Sequence, residues 1–539
     1  MEKTQSLSPK NLWIAAALIG SVFAVFGRSL HYDFVYDDQW TIVQNTSLKS
    51  LLSLGRFFLD KTTTADPSSE LPNLIYRPLP TLTFAADYHA WGFNTAPWRF
   101  ENLLVHGLCG TLVFFFLLTQ VKLSRTAAAL GSLLFLFHPV QVETAVWINQ
   151  RSNMLCFLGM AGGLWLLAKP FSIPRFLGAL LALAAALLSK ETAAVFPALV
   201  ILQDLQNVKR GEEKKRLKER IGIYAVLSLV ILAYIALRCH VTGQLSQREL
   251  RTHSHWGDLL MGADSWLEYW KLLLVPLHLT VSHGQTIDNP WNSPGPWVGA
   301  LFLGACAILG TFLWRRRSKP EGRTAAGSLA WIFITLLPVL GIFPIDAVVC
   351  ERFLYVPLFG AAVLWGWSWD ALSRKKSLEM TGKSILVLIT AAWITLSFQR
   401  TPAWENELTL WQSAVQEEPR NAFAHACCAE AYAQRGLLPD AIQEYEATLA
   451  HEPSVEIAYA ALTNLSDLSN RIHEPDASLQ WSQKALEIHP DSFPALYNRI
   501  ESLGLLGKKQ KALELLKQTR ALYPDAVNWP ALQENLRHL

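Results

Sequence analysis

Charge is scarce in this sequence. Only 17% of its 539 residues are charged and 51% are hydrophobic, whereas about a quarter of an ordinary soluble domain is charged. A large soluble enzyme is excluded on that balance, and a membrane protein is indicated. The net charge of +3 is small and the basic residues fall in short loops, so nucleic-acid binding is set aside. The seven cysteines show neither metal-finger spacing nor a disulfide framework, and several lie inside apolar runs as small packing residues. The first apolar run, 12–30, has no small-residue cleavage site after it and is close to the roughly 20 residues that span a bilayer, so it reads as a retained helix. The length exceeds what one core supports and predicts more than one domain.

Further apolar segments near 100–120, 126–138, 152–168, 175–189, 191–205, 219–237, 297–314, 326–343, 352–369 and 383–399 read as helical spans, about eleven with the first. Short basic loops stay cytoplasmic. With the N-terminus inside, "VKLSR", "KPFSIPR", "NVKRGEEKKRLKER", "RRRSKPEGR" and "SRKKSLEMTGK" are all inside as well. Keeping "RRRSKPEGR" there requires that 266–281, "WLEYWKLLLVPLHLTV", does not cross; it reads as an interfacial or re-entrant helix with its Trp residues at headgroup depth. The odd count puts the loop 31–98 and the C-terminus outside, in the periplasm of an inner-membrane protein or in a eukaryotic lumen.

After Arg400 the apolar runs shorten and a repeat begins. Pro419, Pro453, Pro490 and Pro524 are 34, 37 and 34 residues apart, the period of a helical solenoid. Tyr432, Gly436, Ala441, Tyr445 and Pro453 fall at tetratricopeptide-repeat offsets, and Gly507, Ala512 and Pro524 repeat them. Three and a half repeats are expected, the middle one carrying a three-residue insertion. The expected organisation is all-α: a polytopic membrane bundle over 1–400 and an extracytoplasmic repeat domain over 401–539.

Four polar clusters converge on the outer face: "HYDFVYDDQWTIVQN" with "YRPLPTLTFAADYHAWGF", "HPVQVETAVWINQRSN", "SKET" and "FPIDAVVCERFLY". Ionisable groups at the mouth of a helical bundle mark a functional site. A cavity open to that side suits a polyprenyl lipid, with its tail in hydrocarbon and its phosphate-linked sugar at the interface. Sugar transfer then needs a carboxylate as general base and cations for the departing phosphate. Asp37 and Asp38 are candidates for the base, with Asp38 preferred; Arg151, Lys190 and Arg352 are candidates for the phosphate. No second His accompanies His138 and Glu143 at zinc spacing. A hard divalent ion held by Asp37, Asp38 and Glu143 is an open alternative, and no cofactor is assigned.

In their order along the chain, "DFVYDDQWTIVQN", "YRPL", "HPVQVETAVWINQRSNML", "SKET" and "ERFLYVPLFG", followed by the repeats, resemble the transmembrane and tetratricopeptide-repeat O-mannosyltransferase family, polytopic glycosyltransferases of the C-type fold. The resemblance covers nearly the entire chain. It implies transfer of a hexose, typically mannose, from a polyprenyl-phosphate donor to protein hydroxyls on the outer or lumenal side. The acidic pair of the family's first loop corresponds to Asp37 and Asp38. His138, Pro139 and Glu143 match its "HPVQVE" motif, and Trp147, Ile148 and Arg151 continue it. Glu351, Arg352 and Tyr355 match "ERFLY". His138, Glu143, Glu351, Tyr355 and Arg77 are thereby expected to orient the acceptor or the site. Few repeats, a short tail and compact loops separate the chain from animal members and imply a bacterial relative.

Two other classes compete. A non-catalytic, membrane-anchored repeat scaffold needs one span rather than eleven with ionisable groups at one mouth. A transporter places its charges near the midplane, and no such row appears. The repeats suit a polypeptide acceptor, since solenoids present a concave surface to extended chains.

Overall fold

The computed structural model describes residues 8–50, 54–66, 75–208, 211–243, 254–284, 290–317, 320–340 and 349–524, with Ala526 and Trp529. Helices are the only regular secondary structure among them. The chain divides into two compact units, one of Met1–Val281 with Gln285–Asn406, the other of Ser282–Gly284 with Glu407–Leu539. The first unit therefore continues past the change of composition at Arg400. The turn Thr401–Trp404 stays with it because Trp404 is buried and stacks on Trp147, with ring centroids 5.5 Å apart.

In the first unit six helical stretches are long and apolar enough to cross a membrane: Pro9–His31, Thr95–Val121, Ile221–Thr242, Pro294–Arg315, Glu321–Val339 and Lys376–Trp404. The remaining apolar segments form the shorter helices Arg125–Phe137, Arg151–Leu167, Ile173–Ser189, Phe196–Asn207 and Leu358–Leu372. The chain is a multi-pass membrane protein. Local signals set the ends: Pro9, Pro78 and Pro294 open helices, where a missing N–H costs nothing, and Ser124 caps the helix after it by accepting from the Ala127 amide.

Lipid chains are as apolar as leucine, so membrane helices associate chiefly by close packing of small residues. Two pairs use this rule. A Cβ on Gly131 would lie 2.6 Å from the Ala362 carbonyl oxygen, which brings Arg125–Phe137 against Leu358–Leu372. A Cβ on Gly159 would lie 2.5 Å from that of Ala182, which does the same for Arg151–Leu167 and Ile173–Ser189. The segment 31–98, expected as an outer loop, is more than a loop in its described residues. It contains helix Pro78–Trp91 and a small core in which Phe34, Ile42, Leu48 and Phe57 pack with Phe84, Trp98 and Ile148. The expected interfacial segment 266–281 is partly the end of a 20-residue helix, His255–Leu274, whose Trp266 is 2% exposed and packs against Phe333.

The second unit alternates short helices. Its first helices, Ala422–Gln434 and Phe493–Leu505, each have 13 residues, and Val455–Arg471 between them has 17; the middle insertion is one extra helical turn. Gly436 and Gly507, with φ of +75° and +69°, end two of these helices, and His473 takes the same left-handed backbone after the long one. Alanines at the crossings, Ala429, Ala441, Ala461 and Ala485, are fully buried and let the helices approach closely.

Candidate functional site

The site begins with the acidic pair, whose two members have different environments. Tyr36 has φ +55°, unusual for an aromatic residue, and the chain turns there. Asp38 faces inward, completely buried. Its Oδ2 accepts from the Val35 amide at 3.3 Å and its Oδ1 from the Asn149 amide at 3.0 Å, which ties the 31–98 segment to the 138–153 stretch. Burial pushes the Asp38 carboxyl up to about 7 against the pull of the Arg99 guanidinium and the two amides. Asp37 is partly exposed, and its carbonyl caps Thr41, accepting from the amide at 2.9 Å and the hydroxyl at 2.8 Å. Of the two candidates for the base, Asp38 holds backbone amides with both oxygens and Asp37 is the more exposed.

The cations lie beside it. Trp147 is buried, with Tyr36 stacked on it at 5.2 Å and the Arg352 guanidinium 5.6 Å from its ring. Arg352 is held by Glu143, which accepts its backbone amide at 2.9 Å and its Nη1 at 2.7 Å. Burial raises the Glu143 pKa, opposed by Arg352. Lys190 donates to Asn153 Oδ1 at 2.6 Å, and its Nζ lies 5.1 Å from the ring of Phe353, which the Arg352 guanidinium approaches at 5.5 Å. Burial, followed by the Arg77 charge, lowers the Lys190 ammonium to about 7. Lys190 and Arg352 line a narrow cleft of about 10 Å³, room for roughly one water-sized group, with Asn153 and Thr192 as polar wall and Met160, Val195 and Val339 among its apolar residues.

Other candidates have structural surroundings. Arg151 is buried and its three nitrogens are engaged within the protein: Nε on Asn102 at 2.6 Å, Nη1 on Asp87 at 2.6 Å and Thr83 at 3.2 Å, Nη2 on the Trp98 carbonyl at 3.2 Å. Glu351 is buried and accepts from Arg400 Nη2 at 2.9 and 3.2 Å. Tyr355 is buried with its hydroxyl 3.0 Å from His106 Nδ1, and His138 is buried with Nε2 3.1 Å from the Leu273 carbonyl. Arg77 pairs with Glu191 at 3.1 Å, close enough to Lys190 to affect its charge. Among the described residues no group of three His, Cys, Asp or Glu side chains could hold a metal ion, because Asp38 is committed to amides and Glu143 to Arg352. Residues 343–348 of the fourth polar cluster lie outside the described residues.

The sequence reading missed Arg99. It is buried and donates to the carbonyls of Tyr32, Asp33 and Val146, tying the chain that leads into the acidic turn to the 138–153 stretch. A lone arginine at the start of an apolar helix was the available signal. Trp147 and Phe353 were within quoted motifs, but only folding reveals them as the surfaces on which the cations rest.

No protein-family model matches the chain. Against curated proteins it is 28% identical over 484 residues to mouse protein O-mannosyl-transferase TMTC4, covering 78% of this chain and 64% of that protein. It is 24% identical over 465 residues to Caenorhabditis elegans protein O-mannosyl-transferase F38B6.6, covering 84% and 64%, and 25% identical over 515 residues to human protein O-mannosyl-transferase TMTC1, covering 84% and 56%. The chain is a homologue of these O-mannosyl-transferases. It spans less than two thirds of the length of these relatives. Their similarity extends over most of this chain.

Proposed function

We propose that the chain is a membrane glycosyltransferase that moves a hexose, mannose by analogy with its relatives' names, from a polyprenyl-phosphate donor to a protein hydroxyl. The observation that carries this reading is the meeting of the acidic turn and Arg352 on Trp147, at the edge of a cleft whose other cation is Lys190. The acceptor oxygen attacks the anomeric carbon while Asp37 takes its proton. The bond from that carbon to the phosphate oxygen breaks, and its electron pair leaves with the prenyl phosphate, whose charge Lys190 and Arg352 stabilise. Asp38, Arg99 and Glu143 act as positioning residues: the first two fix the turn and the third holds Arg352.

In the fold proposed, that of the C-type glycosyltransferases, the chemistry occurs on the extracytoplasmic side and the second unit, read as tetratricopeptide repeats, presents the polypeptide acceptor. A reporter placed after Arg400 tests the sidedness, with a cytoplasmic signal overturning it. Incubating the purified full chain with synthetic polyprenyl-phosphate mannose, glucose and galactose and a Ser/Thr-rich acceptor tests the reaction. Labelled mannose on the acceptor is expected, and no transfer from any donor contradicts the proposal.

A further inference from the structure

A second and larger cleft, about 1370 Å³ including space open to solvent, lies in the same unit. Lys122 and Arg323 line it, together with the amides Gln120, Gln203, Gln206 and Asn207. It has no carboxylate in its lining, and both cations are exposed. Among the described residues neither is paired with an acid. Beyond this polar end the walls are apolar, including Phe116, Leu199, Leu202, Trp331 and Phe359. The chemistry is that of an anion joined to a hydrocarbon chain.

Its position separates it from the site above. Arg99, which ties down the chain leading into the acidic turn, is in the second turn of the helix Thr95–Phe116, and Lys122 follows that helix's far end. At ~1.5 Å per residue the two are roughly 30–35 Å apart along the axis, about the thickness of a bilayer's hydrocarbon core. Arg323 agrees: it is in the first turn of Pro320–Leu336, whereas Thr335, near the other end, lines the cation cleft. Lys122 also has a backbone conformation that a lysine rarely adopts, φ +63° and ψ +39°, where it caps the helical run. That turn places the residue at the cleft rim.

We propose that this cleft is a second lipid-phosphate site, on the membrane face opposite the sugar-transfer site: Lys122 and Arg323 hold the phosphate of an anionic lipid, the amides its ester and headgroup oxygens, and Phe116, Trp331 and Phe359 the first part of its chain. Two lipids share this chemistry, a bulk anionic phospholipid and a polyprenyl phosphate, and inorganic phosphate shares the charge alone. None of this depends on the transfer reaction.

The test measures lipid retained by the purified full chain in zwitterionic nanodiscs doped with phosphatidylglycerol or with polyprenyl phosphate. The wild type is compared with Lys122→Ala/Arg323→Ala, with Lys122→Arg, and with Leu202→Trp, which fills the cleft and leaves the cations. Loss of both cations is expected to reduce retention about tenfold, the equivalent of one charge-assisted phosphate contact. Leu202→Trp reduces it too, and Lys122→Arg keeps it. Loss confined to phosphatidylglycerol identifies a bulk lipid as the occupant, and loss confined to polyprenyl phosphate identifies a carrier lipid. Equal retention by wild type and the double variant, or displacement of the lipid by inorganic phosphate at equal concentration, overturns the proposal.

Discussion

The two units bury polar groups in different ways. In the membrane unit the buried groups are charged and paired: Arg151 with Asp87, Arg352 with Glu143, Arg400 with Glu351. In the repeat unit, apart from His425 with Glu444, they are mostly neutral. Ser466 and Ser478 exchange hydrogen bonds, and Ser502 bonds both Ser478 and Asn470 at 2.8 Å, in a seam between helices. A buried ion is costly unless every partner is present, whereas a satisfied hydroxyl contributes roughly 0.5–1.5 kcal/mol and rarely more. The second unit uses polar groups to fix helix register. The first unit instead buries charge in pairs between segments distant in sequence.

That contrast can be broken most severely at Arg151. Arg151→Ala leaves Asp87 buried without its cation and is expected to destabilise the membrane unit by about 3–5 kcal/mol, read as a lower midpoint in a detergent thermal scan. Arg151→Ala/Asp87→Leu should recover much of the loss. An arginine that bound the donor phosphate would lose activity in both variants and stability in neither.

Next in size is a pH effect confined to the first unit. Asp38 and Lys190 both titrate near 7. Protonating Asp38 as pH falls through that value weakens its hold on the Val35 and Asn149 amides, and deprotonating Lys190 as pH rises through it removes a positive charge from the phosphate. Transfer should therefore peak near neutrality. Lys190→Arg is expected to shift the alkaline limb upward, because a guanidinium stays charged, and to leave the acid limb in place. An unmoved alkaline limb assigns that titration to another group.

The repeat unit should respond less. Ser478→Ala is expected to cost about 1 kcal/mol, measured as faster amide hydrogen exchange in Val455–Arg471 and Pro475–Ile488 of the full chain, with transfer chemistry unchanged. The smallest effect expected is at His425, whose Nδ1 lies 2.5 Å from Glu444 Oε2 and whose pKa is raised first by that hydrogen bond. A folded-state pKa above the unfolded value means stability fully present below about 6.5 and lost as pH rises through the folded value. Exchange in Ala422–Gln434 should then quicken slightly from pH 6 to 8 beyond the intrinsic rate, and His425→Gln should remove that slope.

The architecture was legible where the signal was periodic. Apolar runs identified the helices, and the spacing of Pro419, Pro453, Pro490 and Pro524 marked the repeating helical tail. The location of the insertion, a full turn in Val455–Arg471, needed the fold, because a proline period counts residues and does not say where they sit. At the candidate site, the structure brings several of the quoted segments together, but the environment of each side chain was not legible in the sequence. Adjacent positions such as Asp37 and Asp38 differ in solvent access through the turn at Tyr36, and nothing local in "YDD" says which faces inward. Arg151 and Glu143 share one short motif, yet their partners, Asp87 and Arg352, come from segments distant in sequence. Ion pairs of that range are properties of packing.

The most direct test is single-turnover sugar transfer at saturating donor by wild type, Asp37→Asn and Asp38→Asn, each checked for folding by its thermal midpoint. With Asp37 as the base, Asp37→Asn should keep the wild-type midpoint and slow transfer by about 10²–10⁴-fold. Asp38→Asn should lose about 1–3 kcal/mol of stability through an unpaired amide and keep more of its activity. Wild-type turnover by Asp37→Asn would contradict a base at that position.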